Sequence, residues 1–184
     1  MRLIGLGNRK QTGKSTTADY LSHKYGFKSI AFADKLKLEV AWVYKLDLHQ
    51  LNDPTLKETI LPELGKTPRQ LMQEHGTAKR NEDKNYWLRL LQETIYDYDS
   101  FYEPGYVISD VRLLNEAEWI RNCTNHRQNI LVNIVNPRVP RIDKHISEIE
   151  LDNYPHWTDT IVNDSTIPVL YDRIEQQIIR KLLS

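Results

Sequence analysis

Residues 6–16 read LGNRKQTGKST and follow the short apolar run Leu3-Ile4-Gly5. Gly13-Lys14-Ser15 ends a G-x-x-x-x-G-K-S/T pattern, in which a loop between a strand and a helix binds phosphate. Asn8 stands where the pattern has its first glycine. That glycine is needed mainly for its backbone conformation, and asparagine adopts left-handed geometry more readily than most residues. The stretch therefore predicts a phosphate-binding loop, and the alternative is a basic turn that binds nothing.

Each part of such a loop has a chemical role. The backbone N–H groups surround phosphate oxygens, and the N-terminus of the following helix adds partial positive charge. We expect Lys14 to reach the β- and γ-phosphates and the Ser15 hydroxyl to bind Mg²⁺. The expected ATP-binding residues of the loop are Asn8, Arg9, Gln11, Thr12, Gly13, Lys14, Ser15 and Thr16.

Outward from the loop, short apolar segments alternate with amphipathic ones. The expected strands cover residues 3–6, 28–32, 106–109, 130–134 and 160–162, and helices are expected at 14–25, 84–97, 115–121, 168–183 and after Asp34 and Thr67. This alternation predicts an α/β fold with a five-stranded parallel sheet and helices on both faces. Asp34 is the expected N-cap of its helix. Residues 47–67 and 136–155 are interpreted as long loops, which are usually functional.

The bulk composition limits the function classes. A chain of 184 residues suits one domain. Its formal net charge of zero gives no electrostatic indication of nucleic acid or of an anionic membrane as partner. The single cysteine suggests a reducing compartment, and no apolar run reaches transmembrane length. We therefore expect a cytoplasmic protein that binds neither nucleic acid nor membrane.

Four further segments carry a resemblance to a known family. They are FADKLK (32–37), GKTPRQLMQEHGTAKR (65–80), VISDVRLLNEAEWI (107–120) and IVNDST (161–166). In this order, behind the loop, they resemble the bacteriophage deoxynucleoside monophosphate kinases, which belong to the P-loop nucleoside monophosphate kinase group.

The resemblance implies a three-layer α/β/α P-loop NTPase fold like that of adenylate kinase, in a single domain. It implies ATP and a deoxynucleoside monophosphate as substrates, Mg²⁺ as cofactor and, for a viral protein, the host cytoplasm as location. The implied parts are a core at 1–46, 105–135 and 156–184, a monophosphate-binding insertion at about 47–104 and an arginine-bearing lid at about 136–155.

Two charged residues follow the third expected strand. Asp110 lies at a carboxyl strand end, where open α/β sheets bind their ligands, and is a candidate for Mg²⁺ and the acceptor site. The alternative is a helix-capping aspartate. Arg112 is expected to contact phosphate in catalysis and acceptor binding, or else to pair with Asp110 or Glu116.

The middle segment provides candidates for the acceptor. Arg69 lies in the first turn of a helix, an unfavourable place for a cation unless an anion binds there too, and the resemblance assigns it to the acceptor phosphate. Gln73 and Thr77 continue the same helix face, and Arg80 fits a binding or a surface role equally. Asp34 and Lys35 lie in the region that faces the acceptor in the resembling enzymes, although capping explains Asp34 as well.

The expected lid carries Arg138 and Arg141, whose guanidinium groups suit a transferring phosphoryl group. The alternative is an exposed loop with local ion pairs. His145 and Glu148 are expected to brace this segment. Asn163 is placed near the adenine by the resemblance, and a simple turn explains it equally well.

The sequence therefore predicts ATP-dependent phosphorylation of a deoxynucleoside monophosphate to the diphosphate. The rival interpretations are a P-loop kinase of another phosphorylated metabolite or coenzyme precursor, and a regulatory protein that binds ATP without catalysis. Base preference, sugar preference and oligomeric state are left open, with a homodimer among the options.

Overall fold

A computed structural model of the protein describes residues 2–98, 104–123 and 128–183. At its centre is a parallel sheet with the spatial order β2-β3-β1-β4-β5. The strands are β1 Arg2–Gly7, β2 Lys28–Ile30, β3 Gly105–Val111, β4 Gln128–Val135 and β5 Asp159–Val162. All four neighbouring pairs are parallel. The expected α/β fold with a five-stranded parallel sheet is confirmed.

Helices lie between and after the strands along the chain. They are α1 Lys14–Tyr25, α2 Phe32–Tyr44, α3 Leu48–Asn52, α4 Pro68–Glu82, α5 Tyr86–Tyr98, α6 Leu114–Asn122, α7 Ile146–Ile149, α8 Ile167–Ile174 and α9 Arg180–Leu183. A 3₁₀ turn spans Leu56–Glu58, and a π-helical segment, Glu175–Ile179, joins α8 to α9. The Thr67 side chain caps α4 by accepting from the N–H of Gln70, and Pro68 follows in the first turn, as expected.

Three expectations about local structure are wrong. The segment 136–155 is not a loop throughout, because it contains α7. Helix α2 begins at Phe32, so Asp34 lies inside its first turn and is not the N-cap. The segment 47–67 contains α3, whose capping box pairs Asp47 with Gln50. The Asp47 carboxylate accepts from the N–H of His49 at 2.7 Å, and the Gln50 side chain accepts from the N–H of Asp47 at 2.9 Å. This D-x-x-Q signal was present in the sequence, but two nearby prolines favoured a loop.

The alternation of side chains along β1 builds a layer on each face of the sheet. Ile4 and Leu6 belong to the core cluster that includes residues of α1 and α8. On the opposite face, a Cβ added at Gly5 would lie 2.7 Å from Cδ1 of Ile120 on α6. The glycine therefore lets α6 approach the sheet closely, which completes the three layers.

The chain divides into two compact units. One comprises Met1–Ala31 and Asp97–Ser184 and contains the sheet, while the other, Phe32–Tyr96, is helical. The helical unit has its own core around Val40, Leu51 and Leu71. The finer boundaries expected for an insertion and a lid stay predictions. Within the described ranges, no helix combines the length and apolar character that a membrane span requires.

Candidate active site

The loop between β1 and α1 curls its backbone into a nest of amide groups. Asn8, Gln11 and Gly13 have φ values of 97°, 62° and 107°. Left-handed residues interspersed with right-handed ones are the backbone pattern of an anion-binding nest. The left-handed backbone expected of Asn8 is thus present, and Gln11 shares it without any signal in the sequence.

The far end of this nest is fixed by a residue that follows β5. Nδ2 of Asn163 donates to the main-chain oxygen of Thr12 at 3.0 Å. A Cβ at Gly13 would lie 2.5 Å from the same nitrogen, so both the positive φ and the close amide require glycine there. Asn163 therefore holds the loop, and its expected contact with adenine stays a prediction.

Lys14 folds back over the nest. Its side chain is buried, and Nζ donates to the main-chain oxygens of Asn8, at 2.9 Å, and Arg9. Burial, followed by the positive charge of Arg112, lowers the Lys14 pKa from 10.5 to about 7, while Glu148 and Asp110 oppose the shift. A buried ammonium group of this kind is poised to gain an anionic partner.

Glu148 provides a carboxylate beside the nest. The main-chain N–H of Lys10 donates to its Oε2 at 2.7 Å, and the Arg112 guanidinium forms an ion pair with its Oε1. The carboxylate is buried. Its two partners, a main-chain N–H and a guanidinium group, are donors of the kind that a phosphate needs. Of the two pairings considered for Arg112, Glu116 accepts from the backbone N–H of Arg112 at 2.8 Å.

Two other carboxylates of the segment 136–155 pair with the basic side chains of the phosphate loop, Arg9 and Lys10. Asp143 pairs with Nζ of Lys10 at 2.6 Å, and Asp152 accepts from Nε of Arg9 at 2.9 Å. The hydrogen bond and charge of Arg9 lower the pKa of Asp152 against the effect of burial. The segment 136–155, whose arginines are expected to contact phosphate, thus also contains carboxylates that contact the phosphate loop.

The two arginines of the expected lid are exposed in this structure. Arg138 donates to the main-chain oxygen of Asp164, and Arg141 lies near enough to Asp152 to lower its pKa. His145 caps α7, because its Nδ1 accepts from the N–H of Ser147 at 3.3 Å. His145 thus has a structural role, and the catalytic roles of Arg138 and Arg141 stay predictions.

Ser15 and Asp110 are the candidate magnesium ligands. The Ser15 side chain is exposed at the start of α1, and Asp110, at the end of β3, is close enough to Lys14 to affect its pKa. One hydroxyl and one carboxylate, completed by phosphates and water, suit Mg²⁺. Over residues 2–98, 104–123 and 128–183, no group of three or more histidine, cysteine or acidic residues forms a metal cluster.

The helical unit gathers positive charge around Arg69. The Arg69 guanidinium pairs with Glu58, so a carboxylate provides an anion at this helix start. Burial, followed by the charges of Arg69 and Lys37, lowers the Lys57 pKa, whereas Glu58 and Asp53 raise it. Three neighbouring cations therefore repel each other here, and an anion would relieve that repulsion.

The other acceptor candidates also lie in this unit. Gln73 and Thr77 are partly buried on α4, and Nη2 of Arg80 donates to Oγ1 of Thr77 at 3.4 Å. Asp34 is exposed and Lys35 is partly buried in the first turn of α2. These placements leave the acceptor assignments as predictions.

Sequence reasoning missed several site residues, among them Asn133 and Lys57. Asn133 interrupts the apolar strand β4 and bonds to the side chain of Asn8. A polar residue near the carboxyl end of a buried strand was a usable signal. Lys57 was missed because the segment around it was interpreted as a long, usually functional loop in which no individual residue was assigned a role.

A parallel sheet whose central strand leads through an amide nest into a helix defines a P-loop nucleotide-binding fold, and solved structures support it. The crystal structure of TT1252 from Thermus thermophilus superimposes with a TM-score of 0.51 at 16% identity, covering 98% of this chain and 95% of that one. A sugar kinase from Janibacter sp. HTCC2649 gives a TM-score of 0.50 at 13% identity, covering 97% and 94%. At such low identities these similarities show the fold alone.

The family model of deoxynucleotide monophosphate kinase matches residues 65–174, more than half of the chain. A protein of Acanthamoeba polyphaga mimivirus, named as a candidate deoxynucleotide monophosphate kinase, is 31% identical over 95% of this chain and 94% of its own. The deoxynucleotide monophosphate kinase of Escherichia phage RB69 is 25% identical over 96% and 99%. The chain belongs to the deoxynucleotide monophosphate kinase family and is an enzyme. Both relatives are viral, which agrees with the origin implied by the resemblance.

Proposed function

We propose that this protein transfers the γ-phosphoryl group of ATP to a deoxynucleoside 5′-monophosphate and releases the diphosphate. The observation that carries the proposal is the amide nest at residues 8–13, which closes on the buried ammonium group of Lys14. Such a nest suits the tail of a triphosphate, and membership of the kinase family supports a phosphoryl acceptor.

The donor triphosphate would bind by exchanging partners within the nest. Nζ of Lys14 would exchange the oxygen of Arg9 for phosphate oxygens while keeping its bond to the oxygen of Asn8, and phosphate would replace the Glu148 carboxylate at the N–H of Lys10. Arg112, released from Glu148, would then neutralise charge on the γ-phosphoryl group. Lys14, the N–H of Lys10 and Arg112 thus already have internal acceptors, which phosphate oxygens would replace.

Mg²⁺ would be held by Ser15, with Asp110 contributing directly or through water. When bound, the ion supplies positive charge that neutralises the phosphates. The hydroxyl of Ser15 is exposed at the positive end of α1, and the charge of Asp110 acts on neighbouring Lys14, so both suit this role.

The acceptor monophosphate would bind in the helical unit. Arg69, at the start of α4, would exchange Glu58 for the phosphate, and Lys57 and Lys37 would add charge. Gln73 and Thr77 follow on the same helix face and would contact the nucleotide. The attacking oxygen of a monophosphate is already ionised, so transfer requires positioning and charge neutralisation rather than a general base.

A coupled assay for ADP tests the proposal. With ATP and Mg²⁺, ADP should form only when a monophosphate is added, and deoxynucleoside monophosphates should be better acceptors than ribonucleotides or phosphorylated coenzyme precursors. Lys14→Ala should abolish turnover while the circular dichroism spectrum stays unchanged. Turnover by Lys14→Ala at the wild-type rate would contradict the phosphate-loop assignment, and a preference for a coenzyme precursor would contradict the acceptor assignment.

The donor base, the oligomeric state and location in the host cytoplasm stay predictions. Size-exclusion chromatography with light scattering distinguishes a monomer from a homodimer.

A further inference from the structure

Asn8 has a backbone conformation that glycine would adopt at lower cost. Its φ of 97° lies in the region that L-residues other than asparagine and aspartate rarely occupy. The phosphate-loop pattern has glycine at this position. Asparagine is less favourable than glycine in this conformation, so we expect its side chain to make a compensating interaction that glycine could not make.

The Asn8 side chain makes two hydrogen bonds of fixed polarity. Its Oδ1 accepts from the main-chain N–H of Arg9 at 2.7 Å, and its Nδ2 donates to Oδ1 of Asn133 at 2.5 Å. A main-chain N–H can only donate, so the oxygen of the Asn8 amide must face Arg9 and the nitrogen must face Asn133. The amide thus links the loop to strand β4.

Asn133 provides a rigid anchor for this link. It lies on β4 directly opposite Gly7, the last residue of β1, in the parallel register of the sheet. Its neighbours Val132 and Ile134 are fully buried in the core. The position of the Asn133 amide is therefore set by the sheet rather than by the loop.

The link continues from Asn8 to Lys14 of the phosphate loop. The main-chain oxygen of Asn8 accepts from Nζ of Lys14 at 2.9 Å. Because the side chain of Asn8 fixes the orientation of its own peptide, Asn133 acts on Lys14 through Asn8. Displacements of about 1 Å at a reacting group can cost about a hundredfold in rate.

From this geometry we propose that Asn8 and Asn133 are a pair of positioning residues, which hold the first turn of the phosphate loop and thereby place Lys14 for phosphoryl transfer. The inference rests on the proposed function. It makes the asparagine in place of the first glycine a working part of this site.

The test compares kcat and both KM values of Asn8→Gly, Asn133→Ala and the double variant with those of the wild type. Each single variant should lower kcat about tenfold or more with the acceptor KM unchanged. The kcat of the double variant should be no lower than that of the worse single variant, because the bond between Asn8 and Asn133 is lost in all three. Asn8→Gly keeps the backbone conformation accessible, so its loss reflects the missing side chain.

Two further variants separate positioning from general damage. Asn133→Asp still accepts the bond from Asn8, so it should retain more of the wild-type kcat at saturating ATP than Asn133→Ala does, while its added charge raises the KM for ATP. Asn129→Ala removes an asparagine of the same strand whose amide bonds to the oxygen of Cys123, and it should leave both constants unchanged.

The proposal would be overturned if Asn133→Ala kept the unchanged kinetics expected of Asn129→Ala. It would also be overturned if the factors by which the two single variants lower kcat multiplied in the double variant. Calorimetry with ATP alone adds a readout that needs no acceptor: the ATP Kd of the double variant should equal that of Asn8→Gly, because loss of the Asn8 side chain already breaks the bond to Asn133. Absence of wild-type turnover on every monophosphate would instead contradict the proposed function, and this comparison of ATP Kd values would still test the pair.

Discussion

The main-chain N–H of Lys10 donates to Oε2 of Glu148 at 2.7 Å, across 138 positions of sequence. The same carboxylate pairs with Arg112. An internal anion therefore occupies one donor of the phosphate loop and the Arg112 guanidinium, and its negative charge opposes the approach of another anion.

Glu148→Gln should tighten ATP binding, because it removes the competing charge and keeps the shape of the side chain. We expect the ATP Kd to fall about three- to tenfold at low ionic strength, and less in high salt, which screens the repulsion. Isothermal titration calorimetry measures the change.

Glu150→Gln is the matched control for this variant. Glu150 lies in the same segment but accepts from the N–H of Leu114 at 2.8 Å, away from the loop, so its loss should leave the ATP Kd unchanged. Weaker ATP binding by Glu148→Gln would mean that the carboxylate positions Arg112 for the nucleotide rather than competing with it.

ATP binding should take up a proton near pH 8. The Lys14 pKa is lowered to about 7, mainly by burial, so about nine-tenths of Lys14 is neutral at pH 8. A triphosphate favours the charged ammonium, which draws close to one proton from the buffer at pH 8 and much less at pH 6. Titration calorimetry in phosphate and in Tris buffer, which differ in ionisation enthalpy, measures this uptake.

Lys14→Arg provides the control for proton uptake. A guanidinium group stays charged throughout this range, so the heats in the two buffers should coincide. Coincident heats for the wild type at pH 8 would show that Lys14 is already charged before ATP binds.

Arg69→Ala should raise the KM for the monophosphate about tenfold to a hundredfold, because a charge-assisted hydrogen bond contributes about 1.5–3 kcal/mol. Lys57→Ala should raise it less, and neither variant should change the KM for ATP by a comparable factor. Steady-state kinetics with varied monophosphate measures both effects.

Lys66→Ala tests whether any nearby cation would give the same result. Lys66 pairs with Glu74 at 2.6 Å on the exposed surface of the same helical unit, so its loss should leave the acceptor KM unchanged. An unchanged KM in Arg69→Ala would assign Arg69 to its ion pair with Glu58 instead of to the substrate.

Glu175 links α8 and the π-helical segment to α1. Burial alone would raise its pKa, but hydrogen bonds from Lys24, Tyr20 and Tyr25 lower it from 4.5 to about 2. A lowered carboxyl pKa contributes stability that is present above pH 4.5 and is lost as the pH falls toward 2. Glu175→Gln should therefore destabilise the protein by about 1–2 kcal/mol at pH 7, and the difference should shrink at acid pH.

Urea denaturation at pH 7, 4 and 3 measures this dependence on pH. Glu93→Gln, which removes an exposed carboxylate of α5, should change the free energy of unfolding little at any of these pH values. A difference between wild type and Glu175→Gln that stays constant from pH 7 to pH 3 would rule out the charged carboxylate as its source.

Much of the local structure could be predicted from the sequence, because its signals lie within a few residues of each other. Gly26 ends α1 in a left-handed conformation with a φ of 73°, and Thr67 with Pro68 begins α4. The phosphate loop belongs to the same group, because its glycine, lysine and serine are contiguous. Helix α3 was missed although its capping box, Asp47 and Gln50, is a local signal in the sequence.

The sequence by itself thus determined the five strands, the loop between β1 and α1 and the residue types expected to bind phosphate. Only the tertiary structure decided the order of the strands and the partners of the charged side chains. Asn133 reaches Asn8 across 125 positions and Glu148 reaches Lys10 across 138, and no local pattern encodes either contact. Such pairs form only because packing of the sheet and its helices brings distant segments together, so their energies depend on the completed fold.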